Sequence, residues 1–357
     1  DTFSGFFPNP FGATLPARQL DTPTAYHYSA TIEQQLNRGM VVSAAYVGTQ
    51  GRHLLRFRTP NLGSNFFLAP LIFAQDERGL PTFAGATLSP GTRIVNGLFS
   101  GGRPTSNIGA INLFETSANS RYDALQLQLR GRFARRLQYQ AAYTLSRAED
   151  DVSDVFDLAG ASALPQNNAN LAAERGPANF DARHRISYNL TYTIPSTTDR
   201  SHAFRFLLSG VELASTGQFQ TGQPFTVNSI FDVNLDGNLT DRLNSTSGII
   251  RTGDRQRPLQ LQPGVNPASL LAQVGQDGIV PRNSFRASNL LLVNLSVAKN
   301  FRITETQALT FRTEIFNITD RANFGIPVRF LEAPGFGQAT DTVTPGRRVQ
   351  FALKYSF

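Results

Sequence analysis

VQFALKYSF, residues 349–357, alternates along its whole length. Val349, Phe351, Leu353, Tyr355 and Phe357 fall on one side, and Gln350, Ala352, Lys354 and Ser356 on the other. That is the period of a β-strand with one apolar face. Chain ends are ordinarily frayed and soluble, so a terminus that is itself the last stretch of an amphipathic strand belongs to a sheet. Whether its apolar face meets a protein core or lipid decides the fold.

The same alternation recurs upstream, with Gly, Pro, Asn and Asp collected between the segments. Residues 24–36 set Tyr26, Tyr28, Ala30 and Ile32 against His27, Ser29, Thr31 and Glu33. A second strand is expected over 40–57. A third, over 121–133, sets Leu125, Leu127, Leu129 and Phe133 against Gln126, Gln128, Arg130 and Arg132. A fourth carries Leu137, Tyr139, Ala141, Tyr143 and Leu145, and a fifth Ile186, Tyr188, Leu190, Tyr192 and Ile194 before Pro195. FRFLLSGVELAS, 204–215, reads as a sixth, but Glu212 then falls on the side of Phe204, Phe206 and Leu208, which calls for a bulge or another register. Residues 289–301 and 307–317 are the seventh and eighth, and the closing stretch is the ninth. Helical spacing is confined to short pieces such as 268–274.

Every second connection is long: about 58–120, 148–180, 218–287 and 318–345 alternate with short turns. Outer-membrane barrels sort their connections in this way, with short turns on the periplasmic side and long loops outside. Charges are sorted too. Glu33, Arg130, Arg132, Arg185, Arg312, Glu314 and Lys354 all take the polar side of their strands, and Arg147 and Lys299 depart from it only near strand ends. A basic side chain facing mid-membrane lipid costs about 2–4 kcal/mol. The expected fold is therefore all-β, an antiparallel transmembrane barrel of which this chain supplies about nine or ten meandering strands. The last core strand of a soluble β-domain is the alternative reading of 349–357.

Composition narrows the classes further. The 357 residues are 40% hydrophobic and 17% charged, too apolar for disorder. The net charge of +7 comes from Lys and Arg spread along the chain without a dense basic run, so no nucleic-acid partner is expected. With no Cys, neither a thiolate metal site nor a disulfide framework is available. No apolar run reaches the ~18 residues of a membrane helix. HExxH, GxSxG and GxxxxGK are absent, His27, His53 and His202 have no metal spacing, and no enzyme is expected.

SRYDALQLQLRGRFARRLQYQAAYTLSRAEDD at 120–151, ERGPANFDARHRISYNLTYTIP at 174–195, TGQPFTV at 221–227, TEIFNITDRANFGIP at 313–327 and the terminal FALKYSF resemble the C-terminal barrel of TonB-dependent outer-membrane receptors, of the Oar-like group whose relatives often carry a carboxypeptidase-regulatory-like domain. TPTAYHYSATIEQQLNRGMVVSAAYVGTQGRHLL at 22–55 fits the same barrel. The resemblance implies a barrel of 22 strands around a plug, uptake energised through a TonB box, and location in the outer membrane of a Gram-negative-type bacterium. It makes residues 1–357 the C-terminal part of one barrel domain, with plug and earlier strands elsewhere. The implied partners are membrane lipid, the barrel assembly machinery, the TonB system and an unidentified small ligand held by external loops. A structural or adhesive barrel is the alternative. Phe351, Leu353, Tyr355 and Phe357 would then serve as aromatic girdle, as assembly signal, or both.

Two local motifs carry candidate chemistry. In DVNLDGNLTDR, 232–242, Asp232, Asn234 and Asp236 stand at positions one, three and five of a calcium-loop pattern, with Gly237 at the turn and Asn238 offering a carbonyl. Position twelve is Leu243, leaving Asp241 as the substitute carboxylate. An Asx-rich turn uses the same residues. No cofactor is required, and calcium here would be structural. In FDARHR, Asp181, Arg183, His184 and Arg185 form a charged group at a strand entrance, read either as a ligand-contacting rim or as an ion-paired cluster at the barrel mouth. The Arg and aromatic side chains of FSGGRP, 99–104, and NSIFDVN, 228–234, are read either as ligand contacts or as loops that pack over the barrel mouth.

Overall fold

The computed structural model describes residues 13–37, 39–61, 111–134, 136–154, 163–195, 206–234 and 236–357, with the backbone of 82–83 and 86–87. Its frame is one eleven-stranded sheet. In chain order the strands are β1 (Ala13–Pro16), β2 (Thr24–Asn37), β3 (Met40–Arg58), β4 (Ile111–Phe133), β5 (Leu137–Asp150), β6 (Gly176–Pro177), β7 (His184–Thr193), β8 (Val211–Gln220), β9 (Leu290–Arg302), β10 (Ala308–Phe316) and β11 (Arg348–Ser356). Nine of them form an antiparallel meander, β2-β3-β4-β5-β7-β8-β9-β10-β11, each paired with its neighbour in sequence order. β6 adds to the end of β5, and β1 runs parallel to the start of β4. The sheet is not closed: among the described residues β2 and β11 are its two edges.

The register turns the sequence alternation into two continuous faces. Following paired residues from β2 to β5, Ala30, Tyr46, Leu125 and Leu145 share one row, and Ile32, Ala44, Leu127 and Tyr143 the next. Across the other half, Leu190, Ser215, Leu295, Ile315 and Val349 lie in line. The opposite face carries Glu33, Ser43, Gln128 and Ala142 in one row, and Thr191, Ala214, Ser296, Glu314 and Gln350 in another. Every charged residue expected on the polar side is there. Glu33 pairs with Arg130 at 3.0 Å across that face.

No second layer covers the apolar face among the described residues. Ile32 is 77% exposed, Phe351 67% and Phe357 93%, and the face continues through Leu125, Leu127, Ile186 and Leu353. A water-soluble protein does not leave so large an apolar surface open. The run from Leu125 to Phe133 is about 27 Å long at about 3.4 Å per residue, or about 21 Å high at a tilt of about 40°, close to the ~25 Å band that faces lipid in barrels. Above it the same face becomes polar. Tyr46 donates to Asp123 at 2.6 Å, Tyr28 at 3.2 Å, and Arg121 pairs with Asp123 at 2.7 Å. At the other end Tyr355 and Phe357 stack at 5.7 Å. Two outer tyrosines fill the places of missing side chains: a Cβ on Gly48 would lie 2.0 Å from the Tyr28 ring, and one on Gly217 2.1 Å from Tyr188.

The structure corrects the sixth strand. Residues 206–208 form a helical turn, Gly210 takes φ +69°, and β8 starts only at Val211. Glu212 then pairs with Thr193 and Ala298 on the polar side, so no bulge is needed. Lys299, on the apolar side, reaches the carbonyl of Ser209 and lies 5.3 Å from the Phe301 ring. β4 begins ten residues before its expected start, because Leu113, Phe114 and Glu115 pair with Arg58, Phe57 and Arg56 beyond two irregularities near His53. β3 and β4 therefore rise well past the lipid band. Helical structure in the loop at 267–270 is a single 3-10 turn, capped by the Asn266 side chain.

Leu127→Arg places a cation on the lipid side of the wall, whereas Gln128→Arg places one on the polar side. The first is expected to lower stability by about 2–4 kcal/mol and the second by under about 1 kcal/mol. Denaturant unfolding of the full-length protein in lipid vesicles measures both; equal effects would remove the lipid-facing assignment.

Candidate functional site

The buried core of this chain sits in its long connections rather than in its wall. Phe225, Val227, Phe231, Val233, Leu243, Leu259, Leu270, Leu271, Phe285, Leu331 and Phe336 pack as one cluster. Two small ladders frame it, Pro224–Phe225 with Phe285–Arg286 and Ile249–Arg251 with Leu259–Leu261. Phe225 and Phe285 stack at 6.0 Å. The connection 221–289 thus folds with 325–337 into a cap at the long-loop end. NSIFDVN supplies interior here: Asn228, Ser229, Phe231, Asp232 and Val233 are all buried. FSGGRP lies outside the described residues.

Buried ion pairs fasten the cap to the wall. Arg282 reaches the Asp150 carboxylate at the end of β5, donates to the Asp150 carbonyl at 2.7 Å and to the Glu174 carbonyl at 2.8 Å. Arg242 donates from one nitrogen to both Glu174 oxygens at 2.9 Å, and Glu174 also accepts from the Gln166 N–H at 3.0 Å. Removing one member of such a pair leaves a buried charge uncompensated.

Two amides tie the last long connection to the strand tops. Asn317, at φ +52°, donates to the carbonyls of Arg321 and Pro345, and its N–H donates to Asn294 Oδ1 at 2.9 Å. Asn323 accepts from the Leu291 N–H at 2.9 Å and donates to the Leu291 carbonyl at 2.9 Å, replacing a strand partner at the top of β9. The two asparagines of FNITDRANF are therefore backbone substitutes.

FDARHR does not gather into one charged group. Asp181 is buried, accepts from the Ala148 N–H at 2.8 Å and pairs with Arg286 of the cap. His184 sits on the apolar side, stacked on Tyr143 with Nδ1 2.9 Å from its hydroxyl, while Arg185 pairs in register with Thr144 and Gln220 on the polar side. Arg183 is exposed and reaches the Ser146 carbonyl at 3.5 Å. Alternation along the strand separates what is contiguous in sequence.

DVNLDGNLTDR folds as a tight loop at φ +91° for Gly237. Asp236 N–H donates to Asp232 Oδ1 at 3.0 Å and to Asn234 Oδ1 at 3.1 Å, and Gly237 N–H to Asp232 Oδ2 at 2.9 Å. Asn238 donates to both oxygens of Asp236, and Asn234 N–H to Asp241 Oδ1 at 3.1 Å. Burial pushes the Asp236 carboxyl up to about 7 and that of Asp241 up to about 8, with the charge of Asp232 adding to both. Asp277, which no motif announced, joins from forty residues on through Asn234 and Asn167 at 2.9 and 2.6 Å. No three acidic, histidine or cysteine side chains close around one point among the described residues.

On the polar side of the wall, toward the short turns, a cleft of about 520 Å³ is lined by Gln35, Arg130, Arg132, Gln138, Gln140 and Asn189 among others. Its amides and guanidinium groups can hydrogen-bond a ligand, and Met40, Val41 and Tyr139 give it apolar surface beside them. No described helix is long and apolar enough to cross a membrane.

The model of the outer membrane beta barrel domain matches residues 2–350. The chain belongs to that family. The apolar face of this outer-membrane barrel domain is accordingly its lipid face, and the protein resides in the cell outer membrane. No curated protein matches the chain. Solved structures similar to the barrel domain include the outer membrane transporter YddB from Escherichia coli, with a TM-score of 0.46, 12% identity, and coverage of 96% of this chain and 34% of that one. The ferripyoverdine receptor of the outer membrane of Pseudomonas aeruginosa, bound to ferripyoverdine, gives 0.42, 11%, 94% and 27%. A mutant of the ferric enterobactin receptor PfeA from Pseudomonas aeruginosa gives 0.42, 12%, 94% and 31%. The chain spans about a third of the length of these proteins.

Arg282→Met is expected to destabilise the cap by about 3–5 kcal/mol, because Asp150 is left buried and unpaired. Hydrogen exchange on the full-length protein should show faster exchange at 163–183 and 278–286 with the wall strands unchanged. Adding Asp150→Leu should restore most of the protection; failure to do so would mean that Arg282 acts through packing alone.

Proposed function

We propose that this barrel domain is the C-terminal wall of a TonB-dependent receptor of the Oar-like group, taking up an unidentified ligand that its external cap binds first. The observation that carries the reading is the nine-strand meander whose inner face gathers the wall's amides and strand charges and whose edges among the described residues, β2 and β11, are unpaired. In lipid each unsatisfied backbone group costs several kcal/mol, so such a wall is closed by further strands. Barrels wider than about eight strands enclose a lumen instead of a filled core, and at about 22 strands that lumen takes a plug. A plug coupled to the TonB system would supply the energy. Residues 1–357 are on this reading one part of a single barrel domain, and no enzymatic step is assigned to them.

The C-terminal strand fits a second role within the same reading. Phe351, Leu353, Tyr355 and Phe357 face outward on an edge strand with open backbone groups, the arrangement that barrel assembly machinery would pair with during insertion.

Cells carrying the full-length protein, and cells lacking it, can be offered labelled ferric siderophores, oligosaccharides and peptides. At least one class is expected to accumulate only with the protein present and only while the inner-membrane proton gradient is intact. Deleting 224–286 should abolish accumulation while leaving a folded, heat-modifiable barrel. Accumulation that ignores the gradient, or none in any class beside intact cell-surface adhesion, would favour a structural or adhesive barrel instead.

A further inference from the structure

The tip of the hairpin 249–261 rests against the residues just before β9. Ser288 donates to the Arg255 carbonyl at 2.6 Å, and the Ala339 N–H donates to the Gln256 carbonyl at 2.7 Å. Gly253 turns the chain there at φ +78°, and Asp254 Oδ1 accepts from the N–H groups of Gln256 at 2.7 Å and Arg257 at 3.2 Å. Between this tip and residues 286–289 lies a pocket of about 250 Å³, whose charged lining is Arg251, Arg255, Arg286, Arg321 and Asp254. Four guanidinium groups thus share the space with one carboxylate. Arg257 is turned away, donating to Gln338 Oε1 at 2.9 Å.

The fold uses only part of that positive charge. Arg286 pairs with Asp181 and donates to the Gly222 carbonyl at 3.2 Å. Arg251, Arg255 and Arg321 form no ion pair among the described residues, and Asp254 offsets one of the three, so two positive charges are left over. Arg321 shows a second sign of a missing partner. One of its terminal nitrogens donates to the Asn289 carbonyl at 3.1 Å, while Nε is buried and has no acceptor among the described residues. Burial, and after it the charge of Arg255, push the Arg321 guanidinium below its ordinary pKa. An arginine nevertheless stays protonated, so the two like charges remain in one pocket.

We propose that this pocket binds a phosphate group, either the head group of a membrane lipid or a soluble phosphate, with Arg255 and Arg321 as its principal donors. A phosphate monoester carries about −1.5 to −2 charges at pH 7, which matches the surplus, whereas a carboxylate carries a single charge. Its oxygens accept paired N–H bonds from guanidinium groups, and the unused Arg321 Nε supplies one of them. The pocket is smaller than the ~300–1,000 Å³ that encloses a whole drug-sized ligand, so it holds a charged group and not an entire ligand. Once bound, the phosphate ties the hairpin 249–261 to the last long connection through Arg321. The site functions in this way with or without uptake through the barrel.

Isothermal titration of the full-length protein in a neutral detergent tests this, with inorganic phosphate as the probe and ionic strength held constant by chloride. Wild type is expected to bind phosphate, and Arg255→Gln and Arg321→Gln each to weaken it about tenfold or more, since each removes a charge-assisted hydrogen bond. The Arg255 side chain is exposed and makes no hydrogen bond or ion pair among the described residues, so Arg255→Gln still decides should Arg321→Gln fail to fold. A second arm separates the two sources by hydrogen exchange at 249–261, in phosphatidylcholine vesicles with and without phosphatidic acid. Slower exchange with phosphatidic acid, lost in Arg255→Gln, assigns the pocket to a lipid head group; slower exchange with inorganic phosphate alone assigns it to a soluble phosphate. Equal responses of wild type and Arg255→Gln to both, or binding of acetate as tight as that of phosphate, would mean an adventitious ion only and overturn the proposal.

Discussion

Two solvents on opposite sides of one sheet govern this molecule. A strand in lipid must satisfy its backbone laterally, since neither water nor a second layer is there to help. The meander does this strand by strand from β2 to β11, with register shifts only at the ends of the β2–β3 and β3–β4 pairings, and the alternation of side chains then sends apolar groups outward and amides inward. A shift of one residue in any strand would exchange the two sets, so register is held by every residue along its length. The rows that run from Ala30 through Leu125 to Leu145, and from Thr191 to Gln350, express that constraint.

The wall has almost no interior of its own, and the cap has nearly all of it. Phe225, Leu243, Leu259 and Leu331 are buried in connecting segments, while Phe351 and Leu353 in a strand are two-thirds exposed. The usual relation between regular structure and core is inverted because the strands take lipid as their outer packing. The cap, standing in water, must build a core as any soluble domain does, and it uses Arg282, Arg242 and their acidic partners where apolar residues run short.

Legibility followed the same division. Strands with period two, such as Leu125–Phe133 and Val349–Phe357, could be read because each residue's neighbour across the sheet obeys the same alternation. The start of β8 was hidden, since FRFLLSG is apolar at both parities and only the φ of Gly210 separates its helical turn from the strand. FDARHR is contiguous in sequence, but strand alternation parts its side chains, and Asp181 meets Arg286, more than a hundred residues away. The turn of DVNLDGNLTDR was visible from Gly237 and its Asx spacing, whereas Asp277 and Gln166 reach it only through tertiary folding. Nothing local announces such partners. The cap core was likewise unmarked, its members being scattered singly between polar residues.

The anchor of the final connection has a consequence of its own. Asn317 and Asn323 hold the strand tops with carboxamides, groups that neither gain nor lose a proton at any pH a cell meets. Beyond the outer membrane, acidity is set by the habitat and not by the bacterium. At these two strand tops the amide contacts hold in sour and alkaline surroundings alike, whereas Glu332 and Asp320, which fasten other points of the same connection, respond to the weather.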